Sequence, residues 1–265
     1  MSEFHADAVI ATPPVVATAT TKASHADADA LSTMQSLAAT IVIAVFVITF
    51  VVQAFQIPSE SMEKTLLIGD YLLVDKAHYA KPGWLGWLMP YSRIERQDII
   101  VFRYPVNPQQ HFVKRVVGVP GDRIRLVNKH VYVNGEKQAD DYATFQPEQR
   151  DKFRDNFPNG GFFADRIASK WFMQAQKLVE DGQLIVPQGH YFVLGDNRDD
   201  SYDSRYWGFV PVENVVGRPL VIYWSMEQPS MTSDETASGK LSTLAYSAVQ
   251  SVKGLRWKRM FRIPN

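Results

Sequence analysis

Cysteine is absent from the 265 residues. That excludes a catalytic thiol, a disulfide framework and any thiolate-held metal, while leaving the redox compartment open, since a chain without thiols suits either. Net charge is missing too: 28 Lys and Arg balance 28 Asp and Glu. Without a positive excess there is no field to gather a phosphate backbone, and nucleic acid is not expected as a partner. Histidine is sparse, at six, and no internal repeat of solenoid or propeller length occurs.

What is present is one long apolar run, "SLAATIVIAVFVITFVVQAFQI" at residues 36–57. Leu37 to Phe55 carries no charge, and as a helix it would be roughly 28 Å long, enough to span a bilayer. We assign residues 36–56 to a transmembrane anchor. A cleaved secretory signal is the alternative, because Val52 and Ala54 resemble the small residues of a cleavage site. The apolar core, however, exceeds a usual signal core, and the flank before it is acidic. The charges on either side (Lys22 against Glu3, Asp7, Asp27 and Asp29 before; Lys64, Lys76 and Lys81 after) do not orient it by the positive-inside rule. Residues 1–35, rich in Ala and Thr with Phe4 the lone aromatic, are expected to form a flexible tail.

Beyond the anchor, alternating and β-branched runs recur between turn signals: "DYLLVDK", "DIIVFRY", "HFVKRVVGV", "DRIRLVN", "KHVYVNG", "HYFVLGD" and "RPLVIYW". Turn residues at Asn128-Lys129 and Asn134-Gly135 predict hairpins. The fold class is therefore mainly β: an antiparallel catalytic or binding domain (57–137 and 183–224), a small α/β insertion (138–182), and one transmembrane helix before both. Within the insertion a helix is expected with Ile167, Trp171, Leu178 and Val179 on one side, ended by Asp181-Gly182. Residues 225–265 read as a linker followed by a basic amphipathic segment, "VKGLRWKRMFRIPN". That segment is either a solvated tail or a strip lying on a membrane surface.

Three stretches could carry chemistry. In "FQIPSESMEKTLLIGD" (55–70), an extended 55–61 would place Phe55, Ile57, Ser59 and Ser61 on one face and Gln56 and Glu60 on the other. A serine needs a base to become a nucleophile, and the histidines show no recognisable triad order. Lys114, inside the apolar strand "HFVKRVVGVPGD", is the other candidate; as a base it needs its pKa lowered by several units, and burial would have to supply most of that. The third stretch, "GDNRDDSYDSRYWG" (195–208), is a polar loop. A calcium loop fails on spacing there, since Ser204 stands where glycine is needed and Val210 where a bidentate glutamate is needed. No metal or other cofactor is expected.

An apolar anchor followed in order by "IPSESMEKTLLIGD", "VKRVVGVPGD" and "GDNRDDSYDSRYWG" resembles bacterial type I signal peptidase, a membrane-bound serine protease with a Ser/Lys dyad. The resemblance covers roughly 53–135 and 185–224. It implies Ser61 as nucleophile, Lys114 as general base, and Ser59 with the Ser61 N–H as oxyanion donors. It implies that Ser201 orients the lysine, that Asp196, Asp203 and Arg205 support the site, and that Phe55, Ile57, Val101, Phe112 and Val113 line pockets for small substrate side chains. Its implied partners are the signal peptides of exported preproteins and the lipid bilayer. The implied location is the bacterial cytoplasmic (inner) membrane, single-pass, with the catalytic domain extracytoplasmic. Three positions depart from the family pattern: Glu60 where glycine is frequent, Lys64 where proline is usual, and Gln97 where glycine is common. The competing readings are a non-catalytic, membrane-anchored module that binds extended peptides at a sheet edge, and self-processing at "VQA" (52–54).

Overall fold

The computed structural model describes residues 21–77, 92–158, 167–227 and 254–264. Two compact units divide the chain, Met1–Val47 and Ile48–Asn265. Helix α1 covers Thr21–Phe46 and continues in a π-helical turn, Val47–Val51. Asp29–Val51, 23 residues, is long and apolar enough to cross a membrane. Its large side chains from Leu31 to Phe50 are exposed, which is the signature of a helix that is apolar all round and has no protein core of its own.

Both ends of the apolar run differ from the sequence expectation. Residues 21–35, expected to be flexible, are helical. Ala23, Ala26, Ala28 and Ala30 are strong helix formers, and extending a helix that already exists requires no new nucleus. Residues 52–56, expected at the end of the anchor, form a strand instead. There Val52 to Gln56 pair with Asp75 to Tyr71, and cross-strand pairing outweighs continuation of the helix. Ala54 of the "VQA" sequence therefore sits within a paired strand, opposite Leu73.

Among the described residues the strands follow in order, beginning with β1 Val52–Gln56, β2 Asp70–Asp75, β3 Ile99–Arg103, β4 His111–Gly118, β5 Arg123–Val127, β6 His130–Val133 and β7 Glu136–Lys137. After the helices α2 (Lys152–Asp155) and α3 (Ser169–Leu178) come β8 Val179–Glu180, β9 Gln183–Ile185 and β10 His190–Leu194. Helix α4 (Ser204–Trp207), β11 Val210–Pro211 and β12 Val215–Ser225 complete the set. One sheet has seven strands in the order β1-β2-β12-β3-β4-β10-β11, the other five in the order β7-β6-β5-β9-β8. Among the described residues every strand pairing is antiparallel, with one isolated parallel bridge between Thr144 and Asn197, so the mainly β, antiparallel class holds. Asn128 and Lys129 (φ 48 and 75) turn β5 into β6, and Asn134 and Gly135 (φ 55 and 89) turn β6 into β7. Two consecutive positive φ values match the twist of a tight hairpin, which is why Asn and Gly sit there.

Two apolar clusters form the core. Strand β3 feeds both by alternation: Ile100 and Phe102 enter the larger cluster, Ile99 and Val101 the smaller one with Ile57, Met62, Leu66 and Leu72. The expected helix in the insertion is α3, with Trp171 and Ala175 buried; Val179 has already passed into β8. The C-terminal segment is not a solvated tail over its described part, 254–264. Arg259 Nη2 reaches Asp70 Oδ2 at 2.6 Å, Arg256 Nε donates to Ser225 Oγ at 2.9 Å, and Phe261 N–H donates to Ile222 O at 2.7 Å. Asp70 is completely buried, and an unpaired carboxylate there would be costly, so the arginines are drawn in.

Candidate active site

The first element of the site is the turn after β1. Ile57 N–H donates to Asp70 O at 2.9 Å and Gly69 N–H to Ile57 O at 3.0 Å. Pro58 has no N–H to continue the ladder. Ser59 is still extended (φ −135, ψ 157), and Glu60–Met62 then closes into a 3-10 turn. The continuous extended run expected over 55–61 is thus broken at its end. Met62 and Leu66 are buried in the smaller cluster and hold the turn down, with Leu66 N–H donating to Met62 O at 2.8 Å. Ser61 is buried, Ser59 is exposed, and their hydroxyl oxygens are 3.4 Å apart.

Strand β4 supplies the second element. Lys114 is buried, its amine lies 5.7 Å from the centre of the Phe112 ring, and its Nζ donates to Ser61 Oγ. Burial in this apolar setting lowers its pKa from 10.5 to about 8; the Asp203 and Asp196 carboxylates oppose that shift and Arg205 adds to it. Desolvation therefore dominates, as an amine stripped of water requires. Glu60, whose carboxylate could have held the lysine charged, is exposed and is not among the groups acting on it.

The loop between β10 and α4 is the third element. Asp196 receives Arg115 Nε at 2.8 Å and Nη2 at 2.7 Å, and Thr65 Oγ1 at 2.6 Å. Asp203 receives Arg205 Nε at 2.8 Å and Nη2 at 2.7 Å, and Gly195 N–H at 3.1 Å. Burial would push the Asp203 carboxyl up, but Arg205 beside it carries it below its ordinary value. Asn197 N–H donates to Ser61 O at 3.2 Å, so this loop also grips the serine turn. A Cβ on Gly195 would fall 2.2 Å from Ser201 Oγ and 2.4 Å from Ser61 O; only glycine permits so close an approach. Ser201 itself is buried, but its hydroxyl has no hydrogen-bond partner among the described residues. The bond from Ser201 to Lys114 implied by the resemblance is not formed: Ser201 is packed on Gly195, while Lys114 turns to Ser61. In this loop Asp199 is also paired, with Lys129 and Arg154, as Asp203 is with Arg205.

Ser59, Ser61 and Lys114 open onto a cleft of about 540 Å³. Phe55, Ile57, Phe112 and Val113 line it as expected, joined by His111, Asp200 and Tyr202, which sequence reasoning did not place there. Val101 does not line it. It pairs with Val113 across β3 and β4 and is fully buried beside Ile57, so it backs the wall rather than forming it. Arg115, Thr65, Asn197 and Gly195 were also missed; their roles depend on partners far away in sequence, and no local pattern marks them. A hydroxyl beside a desolvated amine, at the floor of an apolar cleft, can carry out base-assisted nucleophilic attack.

A family model described as signal peptidase, peptidase S26, matches residues 30–224. The chain belongs to the signal peptidase family S26. The signal peptidase I of Pseudomonas fluorescens is 37% identical over 197 residues, 69% of each chain. That of Aquifex aeolicus is 37% identical over 225 residues, covering 72% of this chain and 82% of its own. That of Rickettsia bellii strain OSU 85-389 is 30% identical over 239 residues, 84% of this chain and 81% of its own. Membership makes this chain a peptidase of the signal peptidase type. Two of the positions singled out in the sequence have positive φ: Gln97 at 73 and Lys64 at 81. Proline is locked near −65°, so the turn at Lys64 differs in shape from one built on proline.

Proposed function

We propose that this chain is a membrane-anchored serine endopeptidase that removes N-terminal signal peptides from exported preproteins, cutting after a small residue. Ser61 is the nucleophile and Lys114 the general base. The observation that carries this reading is the buried Lys114 amine in contact with Ser61 Oγ, its pKa brought down to about 8. In its neutral form the amine accepts the Ser61 proton as Oγ attacks the carbonyl carbon. The Ser59 hydroxyl and the Ser61 N–H stabilise the oxyanion. Such a donor is commonly worth about 3 kcal/mol. The Lys114 ammonium then protonates the leaving amine. Water, deprotonated by the same lysine, releases the acyl group from Ser61.

Asp196 ties the loop after β10 to β4 through Arg115 and Asp203 braces that loop locally through Arg205 and the Gly195 N–H, while the Phe55, Ile57, Phe112 and Val113 wall offers shallow apolar contact to small side chains. Asp29–Val51 serves as the single membrane anchor, in the bacterial cytoplasmic membrane, with the catalytic domain outside the cytoplasm. The test is mass spectrometry of an exported preprotein incubated in lipid with wild type, Ser61→Ala, Lys114→Ala and, as a control, the exposed Lys177→Ala. Wild type and the control should make one cut after a small residue, and the other two none. Intact preprotein with every version, each shown to be folded, would instead favour a peptide-binding module.

A further inference from the structure

The cleft wall is largely apolar, yet its exposed charge is all of one sign. Among the residues that line it, Glu60 and Asp200 carry carboxylates, Lys114 carries the amine and His111 the imidazole. The amine is buried and turned onto Ser61. His111 is held below its ordinary 6.5 by burial and by Arg103, so above pH 7 it is mainly neutral. Glu60 and Asp200 are exposed. No ion pair occupies either of them among the described residues. They come from separate elements, Glu60 from the 3-10 turn that carries Ser61 and Asp200 from the loop after β10.

From this we propose that Glu60 and Asp200 make the cleft charge-selective: it favours substrates with a basic side chain a few residues from the scissile bond and disfavours acidic ones. The proposal rests on the endopeptidase reading above and adds a specificity to it. A cation on the bound peptide gains attraction from both carboxylates across a low-dielectric wall, and an anion meets repulsion. A change from Lys to Glu should alter kcat/KM by about tenfold at low salt. Because the charged side chain is remote from the reacting carbonyl, it binds equally in ground and transition states, so the effect belongs mainly to KM. Salt should weaken it, since the screening length falls from about 30 Å at 0.01 M to about 8 Å at 0.15 M.

The experiment uses the full chain in lipid and a neutral peptide with a small-residue cut site. Lys, Gln or Glu is placed in turn at the second and third positions on either side of the cut. Wild type, Glu60→Gln, the double variant Glu60→Gln/Asp200→Asn and the exposed Glu148→Gln are compared by the ratio of kcat/KM for Lys and Glu peptides. At one position or more the ratio should be about ten for wild type and for Glu148→Gln, smaller for Glu60→Gln, and close to one for the double variant. A ratio near one at every position with wild type, or a ratio that survives in the double variant, overturns the proposal. The Gln peptides separate the two readings. If wild type cuts them and Lys114→Met does not, the endopeptidase stands whatever the charges do; if no peptide is cut, that reading falls and the selectivity with it.

Discussion

Lys114 gains its reactivity at a cost to stability, and the sign of that cost can be worked out. Folding lowers its pKa from 10.5 to about 8. Between those values the unfolded chain binds the proton and the folded chain does not, so stability rises with pH across that window. Below about pH 8 both states are protonated and the full penalty applies, about 3 kcal/mol. Lys114→Met should therefore stabilise the protein by up to that amount at pH 7 and by progressively less toward pH 10.5, as read from urea unfolding, while abolishing cleavage. In the same way the wild-type rate should climb with pH through about 8, as the neutral amine is populated. A second residue under tension is Gln97. At φ 73 a side chain costs about 1–2 kcal/mol, of which glycine would return the larger part after its own entropy loss. Gln97→Gly should raise stability by about 1 kcal/mol, with the backbone bonds of Gln97 to Val116 and Arg115 retained. A lower denaturation midpoint would show that the glutamine side chain makes a compensating contact.

Single elements rely on partners distant in sequence. Residues 254–264 lie back on the start of β2 and the end of β12 through Arg259 and Asp70, Arg256 and Ser225, and the exchange between Ile222 and the 261–262 backbone. Asp70→Asn removes the charge that both arginines meet, Arg256 at 3.5 Å and Arg259 at 2.6 Å. Breaking one side of such a buried pair costs about 3–5 kcal/mol, and the segment should detach before the domain unfolds. Trypsin is then expected to cut at Arg256 and Arg259 many times faster than in wild type; equal rates would mean that the backbone bonds alone hold the segment. The insertion is tied in the same manner. Lys129 and Arg154 meet on Asp199, Thr144 N–H donates to Asp196 O at 2.7 Å, and the Arg115 guanidinium lies 4.0 Å from the Tyr142 ring. These contacts make it a brace for the loop of Asp196 and Ser201, a role that its composition alone gave no reason to expect.

At the scale of the whole molecule, the unit from Ile48 onward contains both sheets and both apolar clusters, and it should fold without the N-terminal helix. A chain lacking residues 1–47 should unfold in one cooperative, β-type transition by circular dichroism, and should partition into lipid vesicles at least tenfold less than the full chain. Loss of cooperativity would show that the helix is part of the folding unit.

The strand runs, the hairpin turns and the order of the three chemical stretches were legible in the sequence because they depend on local matters: side-chain alternation, a positive φ that suits Asn or Gly, the length of an apolar run. The candidacy of Ser61 and Lys114 could be read for the same reason, an odd residue in a patterned context. The tertiary structure decided what depends on distance along the chain. It set Val101 behind the cleft wall, left Ser201 without a bond to the lysine, ended the apolar helix where β1 found β2 to pair with, and drew the C-terminal arginines onto Asp70. It also lowered the Lys114 pKa, because desolvation is a property of everything packed around an amine and is written in no single stretch of residues.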